Sequence, residues 1–430
     1  MGRELRDFRQ ALDFLFERTQ GRDKLGLDRM REFLARLHDP HARLCAFHVA
    51  GTNGKGSTAA TLEALLRAQG LRVGKYTSPH LVDFTERILI DGVPIAGDAV
   101  VDFVDRWTPD VERTGASFFE ATTALAFQYF AEQRVDVAVV EVGLGGRLDS
   151  TNLITPLVAG VTNIGFDHME LLGDTKALIA AEKAGIFKPD IPAVIGEEDP
   201  EIRDILVARA RAHGAGPIRV VSLESRVSDI AVGPSGTDFA FALAGAPPVR
   251  LHTALAGRHQ AANAAVALTM LDAAGAPWRR PLAEAAAVLP RVSLPGRFQL
   301  HGKYLFDVAH NADGMAVMEK TLDAIRLPRP IVAVLNVLAD KDWRAMMVAL
   351  ARFTDHVVLT LSPSSPASRA WDPAEAMSFA NAHGWAATLE PDFGQALALA
   401  ERVGQTVIVT GSFHTVGDAM LALNVNPLAR

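Results

Sequence analysis

Residues 48–58 read His48-Val49-Ala50-Gly51-Thr52-Asn53-Gly54-Lys55-Gly56-Ser57-Thr58. An apolar strand that runs through a glycine-rich turn into a helix start is a phosphate cradle. The backbone N–H groups at the helix N-terminus hold anionic oxygens before any side chain is needed. Lys55 reaches toward the transferring phosphates in such a loop, and the Ser57 hydroxyl offers an oxygen to phosphate or metal. The generic nucleotide loop has Ser or Thr directly after its lysine. Here Gly56 intervenes, so the strict pattern fails by one position and a plain glycine-rich turn stays open. Glu141 is a second candidate, in the apolar run Val137–Val142 just before Gly143-Leu144-Gly145-Gly146. A carboxylate at the carboxyl end of a buried strand faces the crevice where α/β sheets bind ligands. Metal ligation and a buried ion pair with an arginine are both compatible with it.

The elements that must position these groups follow from periodicity. Leu5, Phe8, Leu12, Leu15 and Phe16 recur at helical spacing, so an amphipathic helix is expected first. Strands are expected at Leu44–Ala50, Arg72–Tyr76, Ile88–Ile90, Val137–Val142, Val158–Thr162 and Ala193–Ile195. A helix is expected from about Thr58 to Gln69, ended by Gly70. Strands alternating with helices predict a mostly parallel sheet covered on both faces. Val227–Leu243 reads as a hairpin around Gly233-Pro234-Ser235-Gly236. After the linker-like Pro290-Arg291-Val292-Ser293-Leu294-Pro295-Gly296 a second α/β series begins, with strands near Lys303–Val308, Ile331–Leu335, His356–Leu361 and Val407–Thr410. The expected fold is therefore α/β. A P-loop domain with a mostly parallel sheet occupies residues 1–294, and a smaller Rossmann-like α/β domain occupies 295–430.

Composition narrows the function classes. The chain has 430 residues, 49% of them apolar and 22% charged, which is ordinary globular material. Lys plus Arg number 43 against 50 Asp plus Glu, a formal net charge of −7. No general electrostatic pull toward nucleic acid or anionic lipid is expected. Cys45 is the sole cysteine, which excludes an intrachain disulfide and a thiolate metal cluster. Within Leu44-Cys45-Ala46-Phe47 it reads as a small core residue. The charged start MGRELRDFRQ lacks the apolar stretch of a signal peptide, and no run is long enough to span a membrane. A cytoplasmic monomer acting on small molecules is the expectation.

Taken together, several segments resemble the folylpolyglutamate synthase and dihydrofolate synthase family, ATP-dependent amide-forming relatives of the muramyl-peptide ligases, which carry Thr where Gly56 stands. The resemblance begins with Gly51-Thr52-Asn53-Gly54-Lys55-Gly56-Ser57 and continues through Tyr76-Thr77-Ser78-Pro79-His80-Leu81, Thr85-Glu86-Arg87 and Glu141–Asn152. It extends to Asp167-His168, Glu182-Lys183-Ala184-Gly185-Ile186, Pro295-Gly296-Arg297-Phe298, Asp307-Val308-Ala309-His310-Asn311, Asp340-Lys341-Asp342 and Gly411–Val416. The matches keep their order over almost the whole chain.

The resemblance implies roles. Thr52, Asn53, Gly54, Lys55, Gly56 and Ser57 would bind ATP together with Asn263, Arg297 and Asp307, and Gln260 stands beside Asn263. His310 would work next to Asp307. Ser78, Glu141 and His168 would hold Mg²⁺; the imidazole is the odd member, since Mg²⁺ prefers oxygen. Ser117, Phe118, Phe119, Glu120, Leu148, Asp149 and Ser150 would line the pteroate site, as would Arg22-Asp23-Lys24-Leu25. For Phe118 and Phe119, pterin stacking and core filling both stay open. Lys183 stands fifteen residues after His168. It reads either as a favourable charge at a helix end or, through the resemblance, as a carbamylated lysine in the active enzyme.

The implied reaction joins L-glutamate to the carboxylate of dihydropteroate or a reduced folate through an acyl phosphate, with ATP as co-substrate. Bifunctional dihydrofolate and folylpolyglutamate synthesis is the expectation. A monofunctional folylpolyglutamate synthase and a muramyl-peptide-type amino-acid ligase are the alternatives. A P-loop ATPase is the rival from another class.

Overall fold

The structure is a computed structural model and describes residues 6–19 and 26–428. The expected contributions of Leu5 and of Arg22-Asp23-Lys24-Leu25 lie outside the described residues.

Strands β1 (Ala46–Ala50), β2 (Val73–Tyr76), β3 (Ile88–Ile90), β4 (Val93–Pro94), β5 (Val137–Glu141), β6 (Val158–Val161), β7 (Ala193–Ile195) and β8 (Ile218–Val220) form one sheet. Its order is β4-β3-β2-β5-β1-β6-β7-β8. The six strands from β2 to β8 run parallel, and β3 and β4 are an antiparallel edge. Their apolar runs are nearly continuous because both faces are covered. Phe47 and Val49 of β1 join the core under the helices Lys55–Arg67 and Arg258–Ala274, whereas Ala46 faces the core that contains Phe127 and Phe130.

The expected hairpin is larger than a hairpin. Strands β9 (Ser225–Gly233), β10 (Gly236–Leu243) and β11 (Val249–Thr253) make a three-stranded antiparallel sheet. Phe239, Phe241 and Leu251 pack it onto the core beside the helix Arg258–Ala274. A third sheet contains β12 (Gln299–His301), β13 (Tyr304–Phe306), β14 (Ile331–Leu335), β15 (His356–Leu359), β16 (Ala387–Leu389) and β17 (Thr406–Thr410), in the order β12-β13-β17-β14-β15-β16. It is parallel apart from β12. Both α/β series are therefore present.

Two local expectations are corrected. The first covering helix starts at Lys55 rather than Thr58, because Gly54 serves as its N-cap with φ +84°, a conformation that glycine adopts without penalty. Cys45 is exposed rather than buried. It lies just before β1, between buried Leu44 and Ala46, and extended backbone alternates its side chains, so the residue between two inward neighbours points out. Among the described residues no helix is long and apolar enough to cross a membrane.

Candidate active site

The parallel order β5-β1-β6 brings three carboxyl ends together, and Val49 of β1 sits in register with Glu141 of β5. The phosphate loop leaves β1 at that point. At Gly51 φ is +148°, and a Cβ built there would stand 1.8 Å from Thr162 Oγ1. That hydroxyl donates to Asn53 O at 2.6 Å, while Asn53 N donates to Asn163 Oδ1 at 2.9 Å. Residues just past β6 thus clamp the loop. A Cβ on Gly54 would stand 2.2 Å from Asn263 Oδ1, so Asn263 reaches the loop. Its Nδ2 also donates to Gln260 Oε1 at 3.0 Å. Thr52 and Ser57 are buried. The first-turn N–H groups of the helix that Gly54 caps have no carbonyl four residues back, which leaves them for anionic oxygens.

Lys55 Nζ donates to Gly51 O at 3.0 Å and Thr52 O at 3.1 Å. Lys183 Nζ donates to the same Gly51 O at 2.9 Å, from a side chain only 5% exposed. Lys183 is the last residue of the helix Lys176–Lys183, yet its ammonium runs to the phosphate loop rather than to its own helix end. Burial first, and the nearby Lys55 second, push its amine down to about 7.

Glu141 is buried beside this pair. Burial pushes its carboxyl up, and Lys55, Arg297 and the Ser78 backbone N–H act against that. The two readings of Glu141 thus share one place, because the arginine and the phosphate loop both face it. Among the described residues no group of three or more His, Cys, Asp and Glu is placed to hold a metal ion. The hydroxyls of Ser57 and Ser78 and the Glu141 carboxylate are hard oxygen donors, and Mg²⁺ commonly takes one or two carboxylates and completes its shell with waters and phosphates. The donor set fits that ion. His168 lies at φ +51° before the helix Met169–Leu172, with its side chain 43% exposed, on the same cavity wall.

The third sheet supplies the other wall. Asp307, just beyond β13, accepts from Phe298 N at 2.9 Å and Ala309 N at 2.8 Å. Burial pushes its carboxyl up, and Arg297 opposes that most strongly. Arg297 lies 5.0 Å over the Phe413 ring. His310 Nδ1 donates to Val308 O at 2.9 Å, because a carbonyl oxygen only accepts, so Nδ1 carries the hydrogen. Its Nε2 is 3.6 Å from Asp167 Oδ2. Asp167 also pairs with Lys341 at 2.8 Å. Burial alone would raise the Asp167 carboxyl, but His310, His168 and Lys341 together hold it below the usual carboxylate range. One carboxylate from the first α/β series is thus tied to two groups of the second.

The expected pteroate residues line the same cavity. Ser117 and Glu120 form a capping box: Glu120 N donates to Ser117 Oγ at 3.3 Å and Ser117 N to Glu120 Oε2 at 2.8 Å. Arg29 pairs with Glu120 at 3.2 Å. Their polar atoms therefore build the wall. Phe118 stacks on Phe16 at 5.1 Å and carries Arg87 5.1 Å from its centroid. Phe119 lies 6.2 Å from Tyr76. Both rings pack on the core and also line the cavity, so core filling and a ligand-facing edge coexist. Leu148, Asp149 and Ser150 line it as well.

Every expected site residue within this set borders one cavity of about 1480 Å³, except Lys183, whose ammonium reaches the phosphate loop at Gly51 O. Sequence reading assigned no role to Phe16, His80, Arg87, Asn163, Asp167 or Lys341, all of which line it. Four of these stood inside quoted motifs, so the signal was present. What was absent was the partner: Arg87 Nε donates to His80 Nδ1 at 2.7 Å, a pairing that needs the folded turn.

Comparison with known proteins agrees with this arrangement. The Mur ligase middle domain matches residues 49–271, and the Mur ligase glutamate ligase domain matches residues 296–413. The dihydrofolate synthase/folylpolyglutamate synthase of Bacillus subtilis is 33% identical over 96% of this chain and 98% of its own length. The Mycobacterium tuberculosis folylpolyglutamate synthase complexed with ADP is 33% identical and superimposes with a TM-score of 0.89, over 98% of this chain and 99% of that one. A bifunctional folylpolyglutamate synthase/dihydrofolate synthase with Mn, AMPPNP and L-glutamate bound gives 31% identity and a TM-score of 0.84, over 98% of this chain and 100% of that one. With the two Mur ligase domains in sequence and near full-length likeness on both sides, this chain belongs to the folylpolyglutamate synthase/dihydrofolate synthase family of the Mur ligases.

Proposed function

We propose that the protein joins L-glutamate to the carboxylate of dihydropteroate and of reduced folates, using ATP and Mg²⁺. The observation that carries this reading is the single cavity. Its 1480 Å³ exceed the ~300–1,000 Å³ of a site for one small ligand. It is lined by the phosphate loop, by Phe16, Phe118 and Phe119, and by Arg297, Asp307 and His310. A carboxylate is a poor electrophile, so the γ-phosphoryl group of ATP is first transferred to it. The carboxylate oxygen forms the new P–O bond and ADP leaves. The glutamate amine then attacks the acyl carbon, loses a proton and expels phosphate.

The loop N–H groups, Lys55 and Arg297 stabilise charge on the transferring group by position rather than by covalent chemistry. Asn263 holds the loop from the side, and Asp307 meets the nucleotide beyond it. Ser57, Ser78, Glu141 and His168 would hold Mg²⁺, which supplies further charge neutralisation when bound. His310 lines the cavity with Nε2 3.6 Å from Asp167 Oδ2, and that carboxylate favours the imidazolium formed when Nε2 takes up the incoming amine's proton. Bringing residues from before and after position 294 onto one cavity also excludes water from the acyl phosphate.

The reading includes a carbamate on Lys183. Its amine at about 7 is substantially neutral at physiological pH. A neutral amine adds carbon dioxide with loss of one proton, turning a buried cation into an anion. We read the protein as a cytoplasmic monomer with domains 1–294 and 295–430; light scattering of the purified chain tests the monomeric state. The function is tested by phosphate release. Release that requires glutamate and either dihydropteroate or tetrahydrofolate supports it. Extension of tetrahydrofolate without dihydrofolate formation from dihydropteroate would leave a monofunctional enzyme, and ATP hydrolysis independent of both would sink the ligase reading.

A further inference from the structure

Behind Asp149 runs a line of buried groups that the reaction above does not use. Asp149 Oδ1 accepts from the Thr151 backbone N–H at 3.0 Å and from the Thr151 hydroxyl, while Oδ2 accepts from Leu144 N–H at 2.7 Å. Thr151 Oγ1 lies 2.9 Å from His48 Nε2. His48 and Thr151 are wholly buried, whereas Asp149 borders the cavity. His48 belongs to β1, three residues before Gly51, and the chain of contacts therefore links the strand under the phosphate loop to a carboxyl group of the cavity wall.

The direction of this chain follows from the donor inventory. A carboxylate only accepts, so the single hydroxyl hydrogen of Thr151 goes to Asp149. The lone pair left on Oγ1 then accepts from His48, which puts the ring hydrogen on Nε2. His48 Nδ1 is left as a buried acceptor without a hydrogen-bond partner among the described residues. Burial, with Lys188 second, pushes the ring down to about 3, so it stays neutral. A buried nitrogen without a partner makes histidine a poor filler here; its contribution is the hydrogen bond to Thr151.

We propose that His48 is a positioning residue for the pteroate site. Through Thr151 it occupies Oδ1 of Asp149, leaving Oδ2, already aimed by Leu144, to accept one N–H of the bound heterocycle. The chemical class selected is a flat ring with an N–H or amino donor on the edge that enters the cavity. This rests on the reading that Asp149 lines the pteroate end.

The test is steady-state kinetics on the full-length enzyme, varying dihydropteroate, ATP and glutamate separately, with thermal melting to confirm folding. Thr151→Val, which keeps shape and removes both hydrogen bonds, should raise KM for dihydropteroate roughly tenfold and leave KM for ATP within about twofold. Thr151→Ser should restore it. His48→Leu should behave like Thr151→Val, while His48→Gln, which keeps an N–H donor, should fall nearer the unsubstituted enzyme. If Thr151→Val does not fold, the His48→Leu and His48→Gln pair decides by the same split. The proposal is overturned if Asp149→Asn raises KM for dihydropteroate but His48→Leu and Thr151→Val do not. It is overturned equally if they weaken all three substrates alike, as a purely structural role would. Should Asp149→Asn itself leave that KM unchanged, the assignment of Asp149 to the pteroate end is what fails, and the relay falls with it.

Discussion

At one end of the cavity the phosphate loop is made of backbone: glycines at Gly51 and Gly54, first-turn N–H groups, and two lysines on the carbonyl of Gly51. At the other end the pteroate wall is made of side chains, with Phe118 stacked on Phe16, Arg87 beside it and Asp149 held by Thr151. The first centres on one continuous stretch, Gly51–Ser57, which Thr162, Asn163, Lys183 and Asn263 reach from elsewhere. The second draws on the opening helix, the turn before β3, the helix Phe118–Glu132 and the turn after Leu148. Backbone recognition tolerates little change at any one position. Side-chain recognition spreads its energy over many contacts, each of which is individually modest.

That difference ranks the expected effects. Lys55→Ala should leave the fold intact and lower kcat by about 10³-fold or more, since one group contributes both charge and position to phosphoryl transfer. Steady-state kinetics beside a melting curve check it. Near-normal turnover in a folded variant would break the phosphate-loop assignment. Gly51→Ala should cost about 2–4 kcal/mol of stability as well as ATP binding. A Cβ there meets Thr162 Oγ1 at 1.8 Å and φ is +148°. Denaturant unfolding reads the first effect and nucleotide titration the second.

Asp167→Asn sharpens the comparison at the junction of the two α/β series. It removes the charge that Lys341 and His310 share, and a fall of roughly 10–100-fold in kcat is expected, read by steady-state kinetics. The sign of its pH effect can be worked out. The Asp167 carboxyl is held below its ordinary value, so its stabilisation is complete above the unfolded value near ~4 and is lost only on stronger acidification. Asp167 therefore does not supply an activity limb near neutrality.

Lys183 does. Its amine, pushed down to about 7, takes up a proton as the pH falls through that value, and the carbamate is lost with it. Activity should fall roughly tenfold per pH unit below 7, with added bicarbonate opposing the loss. A Lys183→Ala variant should regain activity with acetate. In stability the slope has the same sign as in the carboxylate case, but it lies at higher pH and reflects a penalty relieved rather than a stabilisation gained. The unfolded lysine titrates near ~10.4, so the unfolded state binds the extra proton between about 7 and that value. Folding of the unmodified chain is then penalised most below 7 and recovers as the pH rises. An active Lys183→Ala variant with no response to acetate would return Lys183 to a structural charge.

The pteroate wall should give smaller numbers. Phe118→Leu keeps much of the buried area and loses the ring pair with Phe16, so KM for dihydropteroate should rise only about 2–10-fold. An effect as large as that of Lys55→Ala would erase the contrast between the two ends. Smallest of all, Cys45→Ser should change stability by less than about 0.5 kcal/mol, because the side chain is exposed outside β1.

Much of the phosphate end is legible in residues 48–58 because its geometry is local: a strand, a turn that needs positive φ, and a helix start occupy adjacent positions. Period and turn residues likewise determine both α/β series and the direction of most connections. The same local logic misplaced Cys45, where an apolar run was read without its alternation, and stopped the three-stranded sheet at a hairpin, since β11 carries a weaker pattern, Val249-Arg250-Leu251-His252-Thr253. Lys183 looked like a helix-end charge by every local rule, and only folding shows its ammonium 2.9 Å from a carbonyl 132 positions earlier. Asp167 with Lys341, and His48 with Thr151, are pairs of the same kind, separated by 174 and 103 positions. The sequence alone determined the elements and the phosphate loop, because dihedral preference and side-chain period act over a few residues. The tertiary structure decided which charges and hydrogen-bonding groups share a site, because burial and Coulomb interaction depend on distance in space and not on separation along the chain.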